Sequence, residues 1–181
     1  EELQKQAQVK FSRAPKISII VATFNTKESY LKEMIDTVVN QSYSNWELCI
    51  ADGSVSDQVM QVIQAYTQAD KRIIVKKLTK NKGIADNTNA AIAIASGEYI
   101  ALLDHDVLAP DALFEVVRCV NDNEKADVIY SDEDKITADS ARRFEPHFKT
   151  DFNIELLRSN NYICHLFVVK RLIVEEIGGF R

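Results

Sequence analysis

The chain of 181 residues reads as an α/β protein, a mostly parallel sheet with helices on both faces followed by a smaller mixed half. Three observations predict this. Short β-branched apolar runs alternate with stretches whose apolar residues recur every three or four positions. Only 5 glycines and 3 prolines occur, which excludes collagen-like and low-complexity architectures. Hydrophobic residues make up 46% of the chain and charged residues 27%, a balance that supplies one globular core, and the length suits a single domain.

Residues 1–15 form a polar lead-in, a short helix or linker closed by Ala14-Pro15, and residues 16–181 form the domain. Ile17–Thr23 is a buried strand by length and β-branching. Ser29 is placed to cap a helix carrying Leu31, Met34, Ile35, Val38 and Val39. Trp46–Asp52 is the second strand, and Val59, Val62, Ile63 and Tyr66 mark the second helix. Ile73–Leu78 is the third strand. The Ala-rich stretch Ile84–Ser96 is helical, with Gly97 as its stop. Glu98–Leu103 is the fourth strand, Pro110 opens a helix with Leu113, Val116, Val117 and Val120 on one face, and Asp127–Ser131 is the fifth strand. Four βα units in series imply a parallel sheet. Beyond Asp132 the alternation breaks: Glu133–Lys149 is polar and irregular, Asp151–Arg158 a short helix, Tyr162–Val169 a strand and Lys170–Ile177 a helix.

Net charge is −5, so no global field draws nucleic acid to the chain. No apolar run reaches the roughly 18 residues of a membrane span, and the first residues show no signal-peptide pattern. Cys49, Cys119 and Cys164 are widely spaced and form no CxxC, so they read as small buried hydrophobes in a reducing, cytoplasmic compartment.

Ligands of an open parallel sheet bind beyond the carboxyl ends of its strands. Those ends carry Thr23-Phe24-Asn25, Asp52-Gly53-Ser54, Asp104-His105-Asp106 and Asp132-Glu133-Asp134. Asp favours turns, but acidic turns after three strands of one sheet point to a shared site. Asp104 and Asp106 flank His105 directly off a buried strand. Such a carboxylate pair suits Mg²⁺ or a similar hard cation shared with a diphosphate. At 4 Å and an effective dielectric near 20, each charge pair there is worth about 4 kcal/mol. The first strand is followed by neither GxGxxG nor a Walker lysine, which argues against a nicotinamide enzyme or P-loop NTPase. A haloacid-dehalogenase reading fails because Leu108 stands where Thr or Val is wanted. A nucleotidyltransferase would show a Gly-rich, basic turn after the first strand, and Ala22–Thr26 is neither.

The segments KISIIVATFN, WELCIADGSVSD, NKGIADNTNAAIAIASGEYIALLDHD, VIYSDEDK, RFEPHFK and NYICHLFVVKR resemble, in order, those of glycosyltransferase family 2, a GT-A fold family. The likeness runs from about Lys16 to Arg181 and is nearest to bacterial enzymes that build surface polysaccharides. It implies transfer of a sugar from a nucleotide diphosphate sugar, UDP-sugars favoured, to a saccharide or lipid-linked acceptor. It also implies inversion of configuration, a Mn²⁺ or Mg²⁺ cofactor, and a place at the cytoplasmic face of the membrane through the parent protein. By the same resemblance, Thr23 and Phe24 line the nucleobase pocket, and Asn25 belongs to the nucleotide-sugar-binding residues beside them. Asp52 accepts the base's imide N–H, Asn89 lies near the diphosphate, and Asp104 faces ribose and metal. Asp106 is the main metal ligand. His105, between two aspartates, reads as touching the diphosphate, with pointing to solvent as its alternative. His165 belongs to the sugar or acceptor side, with a satisfied core imidazole as its alternative, and His147 reads as surface loop. Ala22 and Gly53 depart from the family's usual Pro and Asp. The family's general base follows the Gly-Gly-Phe-Arg stretch, here Gly178–Arg181, so the base is expected beyond Arg181; Asp132, Glu133 and Asp134 are the in-chain candidates. A catalytically incomplete, nucleotide-binding fragment is the alternative reading.

Overall fold

The computed structural model describes residues 1–181. Its strands are β1 (Ile17–Thr23), β2 (Trp46–Asp52), β3 (Ile73–Lys77), β4 (Tyr99–Leu102), β5 (Val128–Tyr130), β6 (Glu133–Ile136), β7 (Arg143–His147) and β8 (Phe167–Lys170). Its helices are α1 (Glu2–Gln6), α2 (Glu28–Val39), α3 (Gln58–Ala69), α4 (Ile84–Ile92), α5 (Ala112–Asp122), α6 (Ile154–Ser159) and α7 (Arg171–Glu176). Six strands form one sheet in the order β3-β2-β1-β4-β8-β5. The first four are mutually parallel, so their carboxyl ends share one edge.

Alternation along the strands divides the core. Ile17, Ile19 and Val21 of β1 join Trp46, Leu48 and Ile50 of β2 in a large cluster with the apolar stripes of α2, α3 and α5. Ile20, Cys49, Ala51 and Ile100 face the other way, against α4 and α7 through Ala91 and Val174. Helices thus cover both faces, as the sequence predicts. Cys49 is a free, fully buried thiol, pushed up to about 12 by burial and then by Glu47.

Several elements differ from expectation. The sheet is not parallel throughout: β8 runs antiparallel between β4 and β5. The predicted strand Tyr162–Val169 begins only at Phe167, because Cys164 takes a φ of 44° and turns the chain out of the extended region. Tyr162 and Ile163 are still buried, so their apolar character reflects packing and not strand geometry. The stretch Glu133–Lys149 contains a two-stranded hairpin of β6 and β7. Both its faces are polar, and its cross-strand pairs are Lys135–Glu145, Asp134–Arg143 and Glu133–His147, so no hydrophobic period announces it. Lys27, not Ser29, is the N-cap of α2. The Ala-rich helix α4 closes at Ile92, and Gly97 serves close approach instead of termination. A Cβ at Gly97 would lie 2.6 Å from Ser18 Oγ and 2.7 Å from the Lys16 carbonyl. The lead-in carries the short helix α1, and Phe11 packs on Tyr43 and Phe114 while Tyr43 donates to the Pro15 carbonyl at 2.7 Å.

That close approach at Gly97 surrounds a buried carboxylate. Glu47, 2% exposed, accepts from Ser18 Oγ at 2.6 Å, from the Ser96 amide at 2.5 Å and from the Gly97 amide at 3.2 Å, and pairs with Lys16. Burial works to raise its carboxyl, but Lys16, Ser18 and Ser96 outweigh it and hold it at about 2, against an ordinary 4.5. A depressed carboxyl stabilises the fold fully above its ordinary value and loses that contribution as pH falls through the depressed one. The window here is pH 4.5 down to about 2. Glu47→Gln is expected to cost on the order of 3 kcal/mol in chemical unfolding at pH 7 and to flatten the acid limb of the stability curve across that window.

Candidate active site

The β1–β2 register sets Thr23 opposite Asp52, and the β2–β3 register sets Asp52 opposite Lys77. Three strand ends therefore converge on one carboxylate. Asp52 is fully buried. Its Oδ1 accepts from Thr23 Oγ1 at 3.1 Å and from the Ser54 amide at 3.0 Å, and its Oδ2 accepts from Lys77 Nζ at 2.8 Å. Burial works to raise this carboxyl; the Lys77 ammonium, the Ser54 hydroxyl and amide and the Thr23 hydroxyl together hold it below the usual range. A carboxylate offers about four acceptor positions, and these donors account for them. Lys77 also donates to the Ser54 carbonyl at 2.8 Å, which braces the turn after β2.

That turn is laced to the one after β1. The Asn25 amide donates to Ser54 Oγ at 2.8 Å, and Gly53 N–H donates to the Thr23 carbonyl at 2.9 Å. Asn25 itself takes a φ of 53°, a conformation Asn tolerates better than most residues. Phe24 stands 46% exposed beside these turns, an aromatic face open to a ligand. Gly53, one of the two departures from the family pattern, has a local reason. A Cβ there would come within 3.3 Å of both Asn81 Cα and Asn87 Nδ2. Asn81 in turn accepts from Asn87 Nδ2 at 2.8 Å and from the Gly83 amide at 2.9 Å at the start of α4.

The loop after β4 lies on the other side of β1. His105 Nε2 is 2.8 Å from Thr26 Oγ1, which joins the β1 and β4 turns. Asp106 is 53% exposed at its side chain, and His165 Nε2 approaches its Oδ2 at 3.5 Å. His165 Nδ1 is buried without a hydrogen-bond partner. His165 is thus brought to the acidic pair, although it lies beyond β5 in sequence.

Asp132, Glu133 and Asp134 are each engaged. Asp132 accepts from the Lys149 amide at 2.7 Å, and Asp134 pairs with Arg143 at 2.8 Å. Glu133 meets His147 Nδ1 at 3.1 Å and Lys149 Nζ at 3.6 Å. Burial works to raise Glu133, and His147, Lys149 and the His165 amide outweigh it, so it remains ionised. His147 lies at the surface as expected, but it ends β7 rather than sitting in a loop, and it is tied to Glu133. Asn89 has both amide atoms occupied by Phe180: its Nδ2 donates to the Phe180 carbonyl at 2.8 Å and its Oδ1 accepts the Phe180 amide at 2.9 Å. It clamps the Gly178–Arg181 end against α4.

Lys77 and Lys149 escaped the sequence reading. The register partner of Asp52 was open to inference once β3 was assigned. Nothing local marks Lys149, whose partners lie 14 and 16 residues ahead.

Residues 18–178 match the family model described as Glycosyl transferase family 2. The chain belongs to glycosyltransferase family 2. It is 44% identical over 95% of its length to the protein y4gI of Sinorhizobium fredii and 31% identical over 98% to the O-antigen biosynthesis protein RfbC of Myxococcus xanthus. It spans 19% and 14% of those relatives' lengths. Its fold matches the mannosyltransferase PcManGT of Pyrobaculum calidifontis, solved with GDP-Man and Mn²⁺, with a TM-score of 0.70 and 20% identity. That alignment covers 99% of this chain and 53% of the other. S. aureus TarS, solved with UDP-GlcNAc, matches at TM-score 0.70 and 18% identity, covering 90% of this chain and 47% of the other. The architecture is the GT-A fold, and the family's chemistry is glycosyl transfer.

Removing Lys77 tests the carboxylate at the centre of this site. Lys77→Met is expected to cost about 2 kcal/mol, below the 3–5 kcal/mol of a fully buried pair because Lys77 is 35% exposed. In chemical unfolding, the Asp52→Asn/Lys77→Met double variant should lose less than the sum of the single losses.

Proposed function

We propose that this chain binds a nucleotide diphosphate sugar across the ends of β1, β2 and β4 and serves an inverting, metal-dependent transfer of the sugar to a saccharide or lipid-linked acceptor. UDP-sugars are favoured as donors. The carrying observation is the convergence of the Asp104–Asp106 loop, the β1 turn and His165 at the carboxyl edge of the sheet.

The residues fit a divalent cation. Asp106 presents an exposed carboxylate, Asp104 is half-buried beside it, and His165 lies 3.5 Å away with an unpartnered buried Nδ1. No group of three or more His, Cys, Asp or Glu side chains is arranged as a closed cage. Mg²⁺ and Mn²⁺ bind through one or two carboxylates and take their remaining ligands from phosphates and water, and Asp104 and Asp106 would supply the carboxylates. A bound cation would neutralise the departing diphosphate, a contribution of several kcal/mol.

The chain's own residues supply the rest. Thr23 and Phe24 bound the base, Phe24 offering its ring as a stacking surface. Asp52, which the family resemblance sets toward the imide N–H, is fully buried among Thr23, Ser54 and Lys77 and orders the two turns that would receive the base. His105, held by Thr26, can donate to a diphosphate oxygen. Asp132, Glu133 and Asp134 are the in-chain candidates for the base that takes the acceptor's proton, and each already meets a hydrogen bond or ion pair. That engagement also supports a second reading, in which this segment binds donor but completes transfer poorly by itself. Loss of a general base typically costs 10²–10⁴-fold.

Titration calorimetry with UDP and with GDP, in Mn²⁺ and in EDTA, tests the reading. UDP is expected to bind in Mn²⁺ and to lose at least tenfold in affinity in EDTA or in Asp106→Asn. Equal affinity in EDTA would remove the cation from the account.

A further inference from the structure

The segment between α6 and β8 does not continue the sheet; it forms a turn, and a buried lysine supports that turn from beneath. The Lys149 side chain is 1% exposed. Its Nζ lies 2.5 Å from the Ile163 carbonyl, 2.5 Å from the His165 carbonyl and 3.6 Å from Glu133 Oε2. Two of the three ammonium donors thus meet backbone carbonyls, and Glu133 stands by as an ion-pair partner beyond hydrogen-bond reach. The same turn is tied elsewhere: the His165 amide donates to Glu133 Oε2 at 3.4 Å, and the Leu166 amide to Ser131 Oγ at 3.2 Å.

Burying an ammonium is costly, and a methionine of similar length would fill the same space without that cost. What methionine lacks is a donor. The two carbonyls that Lys149 takes belong to His165 and to the residue two before it, so the ammonium fixes the backbone from which the imidazole projects. Without it, two carbonyls and one carboxylate lose their shared partner, and the His165 and Leu166 amide bonds alone hold the turn. The imidazole it carries stands 3.5 Å from Asp106 Oδ2.

We infer that Lys149 is a positioning residue of the donor site: by binding the carbonyls of Ile163 and His165, it sets the His165 imidazole against Asp106. This rests on the reading of Asp106 as the carboxylate that meets the metal-bound diphosphate. Supporting groups one step removed from a metal site typically change its affinity by 10–100-fold.

The test compares Lys149→Met, Lys149→Gln and His165→Ala with the unmutated chain. Thermal unfolding, UDP titration in Mn²⁺, and the His165 ring signals in NMR without nucleotide are recorded for each. His165→Ala identifies those ring signals by their loss. Lys149→Met is expected to move the ring signals and to weaken UDP binding at least tenfold. Lys149→Gln, which keeps two N–H donors, falls between, and it carries the comparison if the methionine variant fails to fold. In the Lys149→Met/His165→Ala double variant, binding should be no weaker than in the poorer single variant. Unmoved ring signals, UDP affinity within twofold of the unmutated chain, or losses that multiply in the double variant would each overturn the role of Lys149. An unmutated chain that binds no UDP in Mn²⁺ would instead overturn the donor-site reading, and the ring signals would then decide Lys149 alone.

Discussion

The architecture depends on burying a negative charge at each end of one central strand. β2 carries Glu47 as its second residue and ends on Asp52, both excluded from water. A bare carboxylate there would cost far more than the fold can offset, so each must be met by fixed donors. Glu47 gathers Ser18, the Ser96–Gly97 turn and Lys16, which sets how β1 and the approach to β4 lie against β2. Asp52 gathers Thr23, Ser54 and Lys77, which sets where β1 and β3 stop. A one-residue slip of either neighbour would remove these donors and turn the apolar faces outward as well.

The site inherits its order from this arrangement. Parallel strands deliver their ends to one edge, and the edge next to Asp52 receives the turns of β1, β2 and β4 in fixed register. The antiparallel β8 brings in a contribution from later in the chain. Its pairing with β4 sets Phe167 beside Leu102, so the turn just before β8 lies next to the Asp104–Asp106 loop. Thr23, Phe24 and Asp52 come from the first half of the chain, and the neighbours of Asp106 include His165 from the second. This division explains why the β6–β7 hairpin, polar on both faces, is tied by its Glu133 to the His165 turn.

The parallel core was legible because burial on both faces leaves unbroken β-branched runs, as in Ile17–Thr23, and because helices on the sheet carry apolar residues at helical spacing. The acidic strand ends were legible for the same reason, since the topology rule says where to look. Three things were not. The place of β8 depends on which edge a later strand finds, and Phe167–Lys170 carries no record of its partner. The hairpin has no buried face and hence no period. Lys149 and Lys77 act through contacts between distant or adjacent strands, and a lysine in sequence looks the same whether its ammonium is solvated or takes buried carbonyls. The family resemblance of the segments supplied what periodicity could not, and the match over residues 18–178 agrees with it.

The most direct test of the account is a crystal structure of this chain with UDP and Mn²⁺, with anomalous data collected to locate the metal. The account predicts one strong anomalous peak within coordination distance of an Asp106 carboxylate oxygen, shared with the diphosphate, and uracil seated against Phe24 with its N3 toward Asp52. A metal bound away from the Asp104–Asp106 loop, or a nucleotide lying off the carboxyl edge of β1 and β2, would contradict it.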